Sequence, residues 1–143
     1  MPKTGTFYHE ILNTTDVACT NAFSGANRHD INLNATNLGT PPVAAGRPFF
    51  GKLEGMVIRV KTLAGAPAPT KITIKITHNT SGTQVIIPDT EATIGLEVGS
   101  TTEGGCAYRF DFPYVHDDDQ LHIFYKADNG TCTVDAVELY WSE

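Results

Sequence analysis

Residues 71–77 read Lys71-Ile72-Thr73-Ile74-Lys75-Ile76-Thr77, so every apolar residue lies between two polar ones. Successive side chains of a β-strand point to opposite faces, and this alternation therefore predicts a strand with one buried and one exposed face. The same period of two recurs after Phe49, between stretches rich in Gly, Pro, Asn, Asp and Ser. No window of eleven or more residues has the apolar spacing of an amphipathic helix. The pattern predicts an all-β protein.

Seven alternating segments follow residue 48, and one or two more precede it. The later segments are centred on residues 49–61, 70–78, 85–87, 94–98, 106–112, 121–125 and 132–141. We expect the second and third of them to form a hairpin, Pro113 to end the fifth, and Asp128-Asn129-Gly130 to form a hairpin turn before the last. Eight or nine strands are enough for two packed sheets.

The last segment changes phase. Its apolar residues are first Cys132, Val134 and Ala136, and then Val137, Leu139 and Trp141. One extra residue in a strand changes which side chains face the core, so this slip predicts a β-bulge near Ala136. The new phase also places Trp141 in the core.

These segments predict a two-sheet β-sandwich of jelly-roll type over residues 49–143. An immunoglobulin-like sandwich is less suitable, because no Cys and Trp residues have the spacing of its central disulfide. Residues 1–48 differ: their periodicity is poor, and residues 39–48 contain three prolines, which remove backbone donors. We expect them to form an extended N-terminal arm with one or two strands and a Pro-rich loop.

Composition and net charge limit the classes of partner that we expect for the protein. The 143 residues suffice for one domain, and their net charge of −6 would repel a phosphate backbone, so we expect no nucleic-acid partner. No run approaches the roughly 20 apolar residues of a membrane span, and the first residues lack the apolar core of a signal peptide. We expect synthesis in a cytoplasm and no membrane partner.

The sequence contains no recognisable catalytic or metal motif. The cysteines Cys19, Cys106 and Cys132 are widely spaced and form no CxxC pair, so we expect them to be buried apolar residues. The alternative is one disulfide between two of them, if the protein is in an oxidising medium. The five histidines occur singly and are expected to be exposed. They are His9, His29, His78, His116 and His122.

Acidic residues could still be brought together by the fold. Asp117, Asp118 and Asp119 are consecutive, but they lack the spacing of a calcium loop and are better interpreted as a solvated turn. A glycosidase-like pair among the glutamates cannot be identified from sequence; the candidates are Glu54, Glu91, Glu97 and Glu103. No nucleophile elbow is present. We therefore expect no enzyme, no cofactor and no metal.

Aromatic residues are the more informative candidates for binding. Phe49 and Phe50 directly follow the Pro-rich loop and Arg47, and adjacent residues of a strand point to opposite faces. One ring would enter the core while the other contacts a neighbour, so we predict an interface at Arg47, Phe49 and Phe50. Tyr114, Tyr140 and Trp141 are weaker candidates, for stacking on a sugar.

Residues 119–141 (DQLHIFYKADNGTCTVDAVELYW) resemble the closing hairpin of small viral jelly rolls. They are similar to those of tailed-phage capsid decoration (cement) proteins and of some carbohydrate-binding modules. The first resemblance implies an accessory virion protein, made in the host cytoplasm, that assembles as a homotrimer on the capsid surface. Its arm would clamp the major capsid protein. The alternatives are a glycan- or receptor-binding module of a fibre or secreted protein, and a jelly-roll hydrolase or lyase.

Overall fold

The computed structural model describes residues 7–12, 16–25, 27–32, 49–79, 90–116 and 120–142, and these residues form strands, turns and loops but no helix. The strands are β1 (Phe7–Leu12), β2 (Val17–Cys19), β3 (Arg28–Asn32), β4 (Phe49–Ala64), β5 (Lys71–Asn79), β6 (Thr90–Gly95), β7 (Glu97–Val98), β8 (Gly104–His116), β9 (Gln120–Ala127) and β10 (Thr131–Ser142). They form two antiparallel sheets. The all-β, two-sheet prediction is confirmed, whereas the jelly-roll type stays a prediction.

The first sheet is built around β10. Its strand order is β1-β10-β4-β8-β7, and β2 also pairs with β10. β1 pairs with residues 137–142 of β10 and β2 with residues 132–134, so these two short strands follow each other along one edge of β10. The N-terminal segment thus contributes strands to the same sheet as the C-terminal strand.

The second sheet has the order β3-β9-β5-β6 and contains the segment 71–77. Ile72, Ile74 and Ile76 are buried against the first sheet, while Lys71 and Thr73 lie on the outer face. The alternation therefore predicted both the strand and its orientation. No helix that could cross a bilayer occurs among the described residues.

The core lies between the sheets, and a hydrogen bond of Tyr108 crosses it. Tyr108 of the first sheet donates a hydrogen bond from its hydroxyl to the carbonyl oxygen of Ile72 in the second, at 2.6 Å. A buried hydroxyl without a partner would cost about 1–3 kcal/mol, so this bond allows Tyr108 to fill the interior. The large side chains that are essentially inaccessible to solvent include Leu53, Met56, Ile58, Ile72, Ile74, Ile123, Tyr125, Leu139 and Trp141.

The predicted β-bulge is confirmed. Val134 pairs with Val60 and Ala136 with Arg59, so Asp135 is the extra residue on β10. Asp135 turns to the outer face, where its two carboxylate oxygens accept hydrogen bonds from Nε and Nη2 of Arg59, each at 3.0 Å. The bulge changes the inward phase, as the sequence indicated.

One predicted strand is divided between the sheets. The segment 94–98 was expected to be continuous, but β6 ends at Gly95 in the second sheet and β7 begins at Glu97 in the first. Between them Leu96 donates its backbone N–H to the carbonyl of Thr70 at 2.8 Å. The prediction was wrong because Ile94 and Leu96 continue the period of two where the chain leaves the second sheet, whereas Val98 in β7 is exposed.

The expected hairpin at Asp128-Asn129-Gly130 is also wrong. β9 belongs to the second sheet and β10 to the first, so the three residues carry the chain between the sheets. Gly130 has a φ of 58°, which is the left-handed conformation that the sequence indicated. The turn residues were therefore identified correctly, but their connection was not.

Two further strand predictions differ from the structure. Pro113 lies inside β8, opposite Lys52, and does not end it. In the described residues β7 pairs only with Gly104 and Gly105 of β8, so no strand lies on the other side of Pro113, and an edge position tolerates a missing N–H. The expected partner of β5, centred on residues 85–87, lies outside the described residues, and the structure pairs β5 with β6.

The carboxylate of Asp128 anchors the connection between β9 and β10. Its Oδ1 accepts backbone N–H groups from Thr70 at 2.8 Å, Lys71 at 3.0 Å and Asn129 at 2.9 Å, and its Oδ2 accepts the Thr70 hydroxyl. Slight burial raises the pKa of Asp128, but these hydrogen bonds outweigh it and lower the pKa from 3.8 to about 2. The folded protein therefore favours the ionised carboxylate.

Asp128→Ala is expected to lower the free energy of unfolding at pH 7 by about 1–2 kcal/mol, allowing for the exposure of the group. Because the pKa is depressed by folding, the stabilisation is complete above pH 4 and disappears as the pH falls from 4 through about 2. Urea unfolding at pH 7 and pH 2 measures the difference between wild type and variant. Asp128→Asn, which has no proton to gain, is the control for the charge; a difference that stays constant down to pH 2 would contradict the prediction.

Candidate functional site

The candidate site is the outer face of the second sheet. β9 places Phe124 and Lys126 there, and β5 places Thr73 and Lys75 beside them, with Thr73 opposite Lys126 and Lys75 opposite Phe124. Directly opposed side chains in antiparallel strands are about 5 Å apart at Cβ, and diagonal ones about 7–8 Å. The register therefore brings two lysines from different strands within reach of one ligand group.

A third group completes what we call the lysine–phenylalanine cluster, which consists of Phe23, Lys75 and Lys126. The ammonium of Lys126 lies 4.8 Å from the centre of the Phe23 ring, and that of Lys75 lies 5.8 Å from it. An aromatic face attracts cations through its quadrupole, so Phe23 attracts both ammonium groups.

The chain before Phe23 is attached to the end of β9. Thr20 forms a parallel bridge with Lys126, and its carbonyl accepts the N–H of Ala127 at 2.8 Å. Asn21 donates its side-chain amide to the carbonyls of Ala127 and Gly130, at 3.3 and 3.2 Å. These contacts position Phe23 over the sheet.

The charge of this face is opposite to that of the chain. Arg28, Lys71, Lys75 and Lys126 lie on it with two acidic residues, Asp30 and Glu91, whereas the protein carries a net charge of −6. Within the described part of the chain, neither Lys75 nor Lys126 forms an ion pair, although Glu91 lies opposite Lys75 in the register. Both ammonium groups contact the Phe23 ring. The cluster is suited to a carboxylate or another anion supplied from outside.

A second charged group lies at the β3 edge of the same face. Arg28 donates from Nε to Oδ1 of Asp30 at 2.9 Å, and the same oxygen is in close contact with Nδ1 of His122. The guanidinium of Arg28 also lies 5.9 Å from the centre of the Phe124 ring. Asp30 is thus occupied by two internal partners, and this group stabilises the pairing of β3 with β9.

The expectation that the histidines are exposed is wrong for two of them. His122 is 8% exposed and His29 is 7% exposed. His29 points inward, where its Nδ1 and the Tyr125 hydroxyl share a hydrogen bond of 2.8 Å. A single histidine forms no motif, so the sequence did not indicate its partner. The strand register brings each of these two histidines next to a polar group. The described residues contain no group of three side chains that could hold a metal ion.

The structure describes two of the three residues that were predicted to form an interface. Phe49 and Phe50 begin β4, opposite His116 and Val115 of β8. Arg47 lies outside the described residues. Asp117, Asp118 and Asp119 also lie outside them, so the structure does not test whether these aspartates hold a cation. The interface at Arg47, Phe49 and Phe50 therefore stays a prediction.

The aromatic candidates for sugar stacking differ in exposure. Trp141 is 1% exposed and belongs to the core, so it cannot stack on a ligand. Tyr140 is 38% exposed on the outer face of the first sheet, where its hydroxyl donates to Oε2 of Glu138 at 2.7 Å. Tyr114 lies opposite Gly51 in β8.

Two of the candidate glutamates line one cavity. Glu97 and Glu103 surround it together with Arg59 and the glycines at the start of β8, and its volume is about 350 Å³. Both glutamates are exposed, and the guanidinium of Arg59 is bound to Asp135. A glycosidase acid needs an apolar environment that keeps it protonated, which an exposed glutamate lacks. The cavity therefore offers weaker support for chemistry than the lysine–phenylalanine cluster offers for binding.

Comparison with known proteins gives no functional assignment for the chain. No protein-family model matches the chain, and no curated protein sequence matches it significantly.

Proposed function

We propose that the protein is an accessory capsid decoration protein, which stabilises a viral shell through contacts with the major capsid protein and with its own copies, as a homotrimer. The observation that carries the proposal is the lysine–phenylalanine cluster, a cationic and aromatic face on an acidic protein. Such a face is suited to adhesion, because oppositely charged surfaces attract each other selectively. The proposal includes localisation on the capsid surface after synthesis in the host cytoplasm.

The internal polar groups support a structural role. His29 is bonded to Tyr125, Tyr108 to Ile72, and Ser142 to Glu54. These bonds are made within and between the sheets and make the sandwich a rigid support. A rigid sheet face loses little conformational entropy on binding, so more of the contact energy appears as affinity.

The size of the face indicates how much it can contribute. The four strands contain 28 residues in all. At about 3.3 Å per residue and about 4.8 Å between strands, they present roughly 440 Å². A stable interface buries about 800 Å² on each partner. The second sheet would therefore supply about half of one interface, and we expect the predicted contacts of Arg47, Phe49 and Phe50 to contribute to the rest.

Lys75→Glu/Lys126→Glu is expected to weaken binding to capsids at least tenfold, because removing and reversing partly desolvated charges costs several kcal/mol. Purified shells of the encoding virus that lack the protein would be titrated with wild type and with the variant. Bound protein and resistance of the shells to heat would both be measured.

The matched control is Arg109→Glu on the first sheet, away from the cluster, which makes the same charge change as the single reversal Lys126→Glu. We expect it to bind and protect shells nearly as well as wild type does. Wild-type protein that neither binds the shells nor raises their heat resistance would refute the decoration proposal. Equal loss in Arg109→Glu and Lys126→Glu would show that net charge, and not this face, governs binding.

A glycan- or receptor-binding module is the second candidate, and the same cluster favours one class of ligand for it. Two ammonium groups beside an aromatic ring suit a sugar that carries a carboxylate or sulfate group. An array of acidic and neutral glycans would distinguish the two functions. Binding of acidic glycans that Lys75→Glu/Lys126→Glu abolishes, without any binding to shells, would favour this candidate.

A further inference from the structure

Two of the three cysteines are direct partners across a pair of strands. Cys19 of β2 lies opposite Cys132 of β10, and both side chains point into the core, with exposures of 0% and 4%. The third, Cys106 of β8, is 7% exposed. All three are free thiols, and the expectation that they are buried is confirmed.

The pairing of Cys19 with Cys132 gives the Cα separation that a disulfide requires. Directly opposed residues of antiparallel strands have Cα atoms about 4.5 or 5.5 Å apart, and both values lie within the range of about 4.4–6.8 Å found for disulfides. The closeness of the two thiols raises the pKa of Cys19, which burial raises further, and the same closeness lowers the pKa of Cys132. Register and burial thus place the two cysteines side by side in the core.

We infer that Cys19 and Cys132 form a disulfide when the folded protein meets a low-molecular-weight disulfide such as oxidised glutathione. The Cys132 thiolate attacks one sulfur of the oxidant and releases one glutathione thiol. The sulfur of Cys19 then loses its proton, attacks the Cys132 sulfur of the mixed disulfide and releases the second glutathione thiol. The two cysteines together lose two electrons and two protons, and the oxidant gains them as two thiols.

Strand order distinguishes this pair from the pairs with Cys106. β10 and β8 are separated by β4, so Cys106 and Cys132 are about 9.6 Å apart by strand spacing, and Cys19 lies one strand further away. The register increases this separation, because Cys106 is opposite Ile58 and Ile58 is opposite Val137, five residues from Cys132. Cysteines more than 7 Å apart at Cα cannot be bridged without movement of the backbone. Cys106 is therefore expected to remain a thiol, donating to the Tyr108 hydroxyl at 3.7 Å.

Access for the oxidant requires only a local opening. β2 has three residues and pairs with β10 through three residue pairs. Short edge segments open at a much lower free energy than the whole domain does. The inference concerns the folded chain alone and does not rest on the proposed function.

The test uses the full chain, purified in reduced form and then incubated with oxidised glutathione in native buffer. Remaining thiols are alkylated after denaturation, and the digest is analysed by mass spectrometry. We expect a linked peptide pair containing Cys19 and Cys132, with Cys106 alkylated. Because the link closes most of the chain into a loop, the midpoint of thermal unfolding should rise by roughly 10 °C and return on reduction.

Two variants test which cysteines form the link. Cys106→Ala is expected to form the same link and to show the same rise, whereas Cys19→Ala should show neither. A link that involves Cys106 would overturn the inference. So would three alkylated cysteines after a time in which the urea-unfolded chain becomes fully oxidised.

Discussion

Gly130→Ala is expected to lower the free energy of unfolding by about 3–5 kcal/mol, combining a left-handed backbone with a steric clash. The φ of Gly130 is 58°, and a Cβ atom there would overlap the carbonyl oxygen of Ala64 and approach that of Pro67 to 3.1 Å. Both obstacles are backbone atoms, which cannot move aside as a flexible side chain can. The connection between β9 and β10 would have to shift as a whole.

Chemical denaturation followed by tryptophan fluorescence measures this effect. Gly95→Ala is the matched control, because a Cβ at Gly95 meets no atom within 4 Å and its φ lies outside the left-handed range. We expect the control to differ from wild type by less than about 1 kcal/mol. Equal stabilities for the two variants would mean that the crossing between the sheets does not depend on the conformation of Gly130.

Trp141→Ala is expected to cost about 3–5 kcal/mol, because it removes a large buried side chain and leaves a cavity that the sandwich cannot fill. Trp141 is 1% exposed, whereas its neighbour Tyr140 is 38% exposed. Tyr140→Ala should therefore cost less than about 1 kcal/mol. The contrast between adjacent residues tests the inward phase set by the bulge at Asp135.

Thermal and urea unfolding of both variants measure the contrast. Trp141→Phe, which retains an aromatic ring in the core, should lie between wild type and Trp141→Ala. If Tyr140→Ala proved the more destabilising of the two alanine variants, the phase after the bulge would be the reverse of the one described.

Local patterns were informative wherever one strand face packs on a core. The alternation in residues 71–77 predicted the inward isoleucines, and the phase change after Ala136 predicted both the bulge and the burial of Trp141. In each case the apolar residue is transferred from water to the same interior, so the sequence records which face is buried. Burial therefore could be predicted without knowledge of any strand partner.

Connections between strands could not be predicted in this way. Leu96 and the turn at Asp128-Asn129-Gly130 carry the chain between sheets, yet their sequences resemble a continuous strand and a hairpin. Both sheets face the same apolar interior, so a strand has the same pattern in either of them. Which strand becomes a neighbour depends on packing over distant parts of the chain.

The candidate site, like the connections between strands, could not be predicted from local sequence. Lys75 and Lys126 were recognisable as outward residues of their strands, but nothing local related them to each other or to Phe23. The same holds for Cys19 and Cys132, which are far apart in sequence and opposite in register. The amino-acid sequence alone thus determined the all-β class, the inner faces and the bulge, since these follow from local periodicity and burial. The pairing of strands, and with it every cluster that could bind or react, arose from long-range register, because hydrogen-bonded neighbours bring together residues that no local pattern connects.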